Sequence, residues 1–195
     1  MPFSQASENN KLPILEILQR HFDEISSVLE IGSGTAQHGE FFTQQFPRIS
    51  WQCTDIPQNL TITQQRISAC SFPNLPAAIT LDVNDSEWKC SSYDSVFTAN
   101  SLHIMSEESV VNFFAGIPQC LNKSAIVLLY GPFKYQGEFT TDSNARFDLW
   151  LKQQNPESGV RDFERIQELA TAAGLSLLED NSMPANNQLL VFKLN

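Results

Sequence analysis

Three acids stand at or just after the ends of apolar runs: Glu30 in VLEIGSG, Asp55 in WQCTDI and Asp82 in ITLDVND. Directly after the first comes Gly32-Ser33-Gly34, small residues that let a backbone turn tightly and a ligand approach. A strand running into such a turn and then into a helix marks the carboxyl edge of an open α/β sheet, where nucleotide-like ligands bind. Asp55 lies at about the ~20-residue distance from which an acid accepts hydrogen bonds from ribose hydroxyls. The dinucleotide fingerprint asks for a third small residue at position 37, where this sequence has Gln37. Glu30 beside the turn repels a diphosphate and attracts an ammonium group. The Lys and Ser/Thr of a triphosphate cradle are missing as well. Strand-end acids are common as turn and cap residues, so the signal is the ordered set of three rather than any one of them.

Proton chemistry has one main candidate. His103, in NSLHIM, follows the fourth apolar run and titrates near neutrality, so it can serve as a general base. The competing expectation is a helix-start histidine that satisfies backbone groups. His38 is expected to pack beside the glycine turn, and His21 on the polar side of the first helix. A second polar molecule is expected to meet YGPFKYQGEFTTDSN, which offers Tyr130 and Phe133 on a segment with two glycines. Such a loop closes over a ligand or simply anchors a surface connection. Arg161 can hold a substrate carboxylate bidentately, or pair with Asp162 or Glu164 at a helix start. No metal site is expected.

The elements that must position these groups follow from hydrophobic spacing. Val28 to Ile31, Ser50 to Thr54, Ala78 to Leu81, Tyr93 to Ala99 and Ala125 to Tyr130 read as buried strands. Helices are expected over Lys11 to His21, entered through Pro13, then Gly39 to Phe46 and Leu60 to Ala69, and from an N-cap at Ser106 toward Cys120. The polar FSQASENNK before the first helix reads as flexible. TDSNARFDLWLKQQ and DFERIQELATAAG read as two more helices, the second stopped by Gly174. LSLLED and QLLVFKL, joined through Pro184 and paired asparagines, read as an antiparallel hairpin. Alternating strands and helices imply right-handed crossovers and a doubly wound, mostly parallel sheet in one α/β domain over residues 1–195. Residues 1–24 form its N-terminal segment and helix, and 133–161 a substrate-side insertion.

At 195 residues the chain is long enough to bury a core without metals or staples. Hydrophobic residues at 42% and charged ones at 17% describe a globular protein, and no signal peptide or membrane-length apolar run is visible. A cytoplasmic protein is expected. The four cysteines form no close pair and read as reduced structural thiols. The formal net charge of −10 disfavours a nucleic-acid partner, and no membrane partner is indicated.

With these residues in place, the sequence resembles the class I S-adenosylmethionine-dependent methyltransferases over roughly Val28 to Tyr130. LEIGSGTAQHG matches the glycine-rich first motif, LDV the adenine segment and TANSLHI the fourth-strand motif. PFSQASENNKLPIL, YGPF, GVRDFE and PANNQLLVF extend the resemblance to an uncharacterised subfamily that includes methyltransferase-like protein 26. The resemblance implies a seven-stranded sheet with S-adenosylmethionine as methyl donor and a small-molecule acceptor. It places Glu30 near the donor's amino-acid part, with Gly32, Ser33 and Gly34 giving backbone access. Asp55 falls at the ribose, Asp82 and Val83 at the adenine, and the Asn100 carbonyl near the ammonium group. Asn10, Lys11, Asn186 and Asn187 are implied as acceptor-side residues. The rival expectations are a binding protein that kept the fold without turnover and, more remotely, a nicotinamide oxidoreductase.

Overall fold

A computed structural model describes all 195 residues. Its main sheet begins with β1 (Ser27–Ile31), which buries every residue after the first because both faces are covered. β1 pairs in parallel with β2 (Ser50–Asp55) on one side and with β4 (Tyr93–Ala99) on the other. β3 (Ile79–Thr80) continues beyond β2, while β5 (Leu121–Gly131) lies beyond β4. The C-terminal β9 (Leu175–Met183) and β10 (Asn187–Leu194) complete the order β3-β2-β1-β4-β5-β10-β9. Only β10 runs against its neighbours, pairing antiparallel with both β5 and β9. The chain therefore has the expected α/β architecture, a mostly parallel seven-stranded sheet ending in an antiparallel pair. Strand order reverses between β1 and β4, which opens a crevice at their carboxyl ends.

Two apolar layers flank the sheet. α1 (Gln5–His21), α2 (Gln37–Gln45) and α3 (Pro57–Ala69) place Ile14, Phe42 and Ile67 in a cluster with Trp51 and Phe97. α4 (Glu107–Gly116) and α6 (Phe163–Ala172) place Phe113, Phe114 and Ile166 against the opposite face with Leu29 and Val127. Leu29 and its neighbours Val28 and Glu30 thus point to opposite layers, as the two-residue period of a strand requires.

The ends of several elements differ from expectation. α1 starts at Gln5, because the Ser4 side chain caps it by accepting from the Ser7 N–H at 3.2 Å. The polar segment read as flexible is therefore its first turns, and Pro13 lies inside the helix rather than at its start. Within 133–161 the expected TDSNARFDLWLKQQ helix is present, and the stretch before it, read as a loop, holds short strands. β6 (Phe133–Tyr135) and β7 (Glu138–Phe139) form a hairpin across Gln136 and Gly137, both with positive φ. β8 (Arg161–Asp162) pairs with β6, and α5 (Asp142–Gln154), capped by Thr141, fills the space between.

The reading of four reduced cysteines is corrected. Cys90 and Cys120 form a disulfide with Cα atoms 5.9 Å apart, while Cys53 and Cys70 are free. The partners are 30 positions apart in sequence and meet only because the segment after β3 folds back under the 3-10 turn that ends α4.

Candidate functional site

The glycine turn is fixed to the end of β2 by its own backbone. Gly32 and Gly34 have φ of 71° and 53°, and a side chain on Gly32 would come within 2.6 Å of the Ser101 hydroxyl. Ser33 donates its N–H to the Thr54 carbonyl at 2.9 Å, and its hydroxyl accepts from the Thr54 N–H at 3.1 Å. The Gly34 N–H donates to Asp55 Oδ2 at 2.7 Å. Asp55 Oδ1 accepts from the Ile56 N–H at 2.9 Å and from the Asn59 amide at 3.0 Å. A carboxylate has about four acceptor sites, so Asp55 is a held acceptor with roughly one site left for a ligand hydroxyl. That is one fewer than the pair of ribose contacts expected from sequence.

Glu30 is corrected outright. Its carboxylate does not border the crevice but lies under the turn, accepting from the Trp51 indole at 2.7 Å and the Cys53 thiol at 3.4 Å. His38 Nδ1 stands 3.7 Å from its other oxygen, and His38 Nε2 meets Asn10 Oδ1 at 2.7 Å. Glu30 shares the face of Val28, which looks into the α1 and α2 layer. It touches the crevice only through His38 and Asn10, both of which border it. Close helix packing over this region comes from Gly39, not from position 37, since a Cβ there would lie 2.5 Å from the Cys53 sulfur. Gln37 instead clasps the start of α1 to the turn, its amide accepting from the Ser4 N–H at 2.5 Å and donating to the Ser4 carbonyl at 3.2 Å.

β3 ends at Thr80, so Asp82 belongs to the following loop rather than to the strand end. Its Oδ1 accepts from the Asn84 N–H at 2.9 Å, and buried Val83 follows it. Asn100 takes a left-handed conformation, φ 59°, that asparagine tolerates, and its N–H donates to the Tyr130 carbonyl at 2.8 Å. Gly32, Ser33, Gly34, Asp55, Asp82, Val83 and Asn100 all line one cavity of about 900 Å³ at the carboxyl edge.

The same cavity is also bordered by His103, Tyr130, Asn10, Asn144, Phe147 and Asn187. His103 is buried, and its imidazole is held down to about 4, first by burial and second by the Arg161 guanidinium. Its ring stands edge-on to Phe147, centroids 5.3 Å apart. Burial raises the Tyr130 phenol, and hydrogen bonding with the Asn10 and Asn187 side chains partly offsets the rise.

Four expected acceptor-side residues lie elsewhere. Lys11 turns away to pair with Glu8 at 2.5 Å and lies over the Phe41 ring. Phe133 is fully buried in the core beside Ile166. Arg161 has no free fork, because it donates to the Leu102, Met105 and Glu157 carbonyls and faces Glu107 at 3.5 Å rather than Asp162 or Glu164. Asn186 is exposed outside the cavity, with its carbonyl held by the Asn144 amide at 2.9 Å. Sequence reasoning missed Phe147 and Ile56 as lining residues, whereas Asn144 belongs to the YGPFKYQGEFTTDSN segment expected to meet a ligand. Ile56 alone carried a local signal, its place directly after the site acid.

A family described as "Protein of unknown function (DUF938)" matches residues 1–194. Among solved structures, the fold is similar to human N-acetylserotonin methyltransferase in complex with SAM, at TM-score 0.82 and 14% identity over 98% of this chain and 53% of that one. An O-methyltransferase family protein from Burkholderia thailandensis matches at TM-score 0.81 and 14% identity, covering 97% and 57%. The S-adenosylmethionine-dependent methyltransferase SibL, in its apo form, matches at TM-score 0.79 and 18% identity, covering 96% and 55%. The chain spans a little over half the length of these structures.

Proposed function

The chain belongs to the DUF938 family, and we propose that it is an S-adenosylmethionine-dependent methyltransferase acting on a small or medium-sized metabolite. One observation carries the reading: the cavity at the strand-order reversal is lined by a glycine turn and two acids, Asp55 and Asp82, and by no Lys or Arg. A diphosphate would find no cation there, whereas a phosphate-free sulfonium ligand with ribose, adenine and ammonium groups meets acceptors. The nicotinamide alternative is correspondingly disfavoured. The subfamily that includes methyltransferase-like protein 26 is our finer assignment, supported by the sequence resemblance.

In this reading Asp55 accepts from the ribose, Asp82 and Val83 hold the adenine, and Gly32 to Gly34 admit the ligand to the backbone. Asn100 turns the end of β4 toward the donor's amino-acid part. Bound there, S-adenosylmethionine supplies an activated methyl group on a sulfur that leaves as a neutral sulfide. Methyl transfer is an in-line displacement, so alignment and exclusion of water provide much of the acceleration. The chain contributes the wall formed by α1, Phe147 and the β9–β10 connection. His103, expected to titrate near neutrality, is instead held down to about 4 by burial and Arg161. Its neutral imidazole therefore acts by accepting a hydrogen bond that orients the acceptor rather than by carrying off a proton. The deciding experiment supplies labelled methyl donor and a cell metabolite extract. Label should move into a small molecule, and His103→Ala should slow transfer far more than it weakens donor binding. Donor binding with no labelled product would favour the non-catalytic alternative.

A further inference from the structure

The acceptor half of the cavity differs from the donor half in charge. Asp55 and Asp82 are the only Asp, Glu, Lys or Arg side chains on the wall, and the donor reading assigns both to the donor half. Around the acceptor half stand the amides of Asn10, Asn144 and Asn187, the Tyr130 phenol, the His103 imidazole and the Phe147 ring. Four of the neighbouring cations are committed elsewhere. Lys11 is held by Glu8, Lys152 by Asp148, Arg66 by Glu40, and Arg161 by three carbonyls. Arg146 precedes Phe147 but is exposed on another side of α5, about 100° around the helix. Lys134 lies over the Phe139 ring.

The apolar part of this half includes the Phe147 ring. Phe147 stacks on Trp150 with centroids 5.8 Å apart and planes 14° from parallel, and meets His103 edge-on. Trp150 and Ile104 remain more than half exposed, and Ile104 lines the cavity. The polar part is neutral, and Asn10 is tied to buried Glu30 through His38. A carboxylate or phosphate placed here would have no cation, and an ammonium no carboxylate, so either charge would lose water without a partner.

We propose that the methyl acceptor is an uncharged molecule with a flat apolar face, held by the Phe147 ring and hydrogen-bonded by the neutral Asn10, Tyr130 and Asn187 cluster. The proposal rests on the methyltransferase reading and narrows its substrate class. His103 adds no charge to the site near neutral pH, because burial keeps its imidazole unprotonated there.

The test uses three probes with one ring system: 2-naphthol, 6-hydroxy-2-naphthoate and 6-(aminomethyl)-2-naphthol. Each is titrated calorimetrically into the full chain, with and without S-adenosylhomocysteine. The neutral naphthol should bind about tenfold more tightly than either charged relative, the cost of stripping water from an unpaired charge. Phe147→Lys, checked for folding by its melting transition, should shift the naphthoate to naphthol affinity ratio about tenfold toward the anion. Equal or tighter binding of a charged probe, or no binding of the neutral one, overturns the proposal. Failure of S-adenosylhomocysteine to bind overturns the donor reading alone, because the ranking of the three probes is also read in its absence.

Discussion

At the residue scale, two acids of the same sequence pattern have opposite fates. Asp55 ends its strand beyond the covering helices and lines the cavity, while Glu30 lies one residue before the end of its own strand and is taken up by Trp51, Cys53 and His38. The position of Asp55 was legible from its distance to the glycines. The direction of Glu30 was legible in principle from strand alternation, which groups it with Val28, but the attraction of an acid beside a glycine turn outweighed that signal. His103 gives a prediction with a definite sign. Its folded value of about 4 lies below its ordinary 6.5, so the unfolded chain binds the proton first as pH falls. Stability from this group is full above pH 6.5 and is lost as pH drops toward about 4. Denaturant titrations of the parent and His103→Gln at pH 7 and pH 5 should show the smaller loss in the variant. In the same window kcat/KM should lack an inflection near 6.5, because the folded imidazole stays neutral. An inflection there would contradict the buried neutral assignment.

At the element scale, the strands and helices that carry the site were readable because burial leaves a periodic trace. β4, for example, spans Tyr93–Ala99 as the apolar run implies. What local pattern concealed were contacts made at a distance. The start of α1 is secured by its Ser4 cap and by Gln37 from a different element, and the β6–β7 hairpin is secured by pairing of β6 with β8. Gly116 illustrates the same dependence. It ends α4 where the Trp88 ring packs directly on its Cα, so a Cβ would fall inside the ring. Gly116→Ala should therefore destabilise the fold by about 1–3 kcal/mol, as overpacking of a filled core does, despite the better helix propensity of alanine. A variant as stable as the parent in urea titration would show that the Trp88 ring has room to move.

For the whole molecule, the crevice arises from topology: the order β3-β2-β1-β4-β5-β10-β9 reverses between β1 and β4, and Gly32, Ser33, Gly34, Asp55, Asp82, Val83 and Asn100 gather there. Composition and alternation made the parallel sheet legible, but the order of strands and the meeting of Cys90 with Cys120 are properties of the assembled chain. That bridge joins the loop carrying Asp82 and Val83 to the end of α4. Closing so long a loop contributes roughly 2–4 kcal/mol. Reduction should lower the melting temperature accordingly, whereas an unchanged transition would show the bridge adds nothing. A net charge of −10 adds a long-range field that favours approach of a cationic ligand over a polyanion. The most direct test of the central claim is calorimetric titration of S-adenosylhomocysteine and NAD into the parent chain and Asp55→Ala. A methyl-donor site should give saturable binding of the adenosyl ligand, weakened by roughly 1–3 kcal/mol in the variant, and little affinity for NAD. Tight NAD binding without adenosyl-ligand binding, or an affinity indifferent to Asp55, would contradict it.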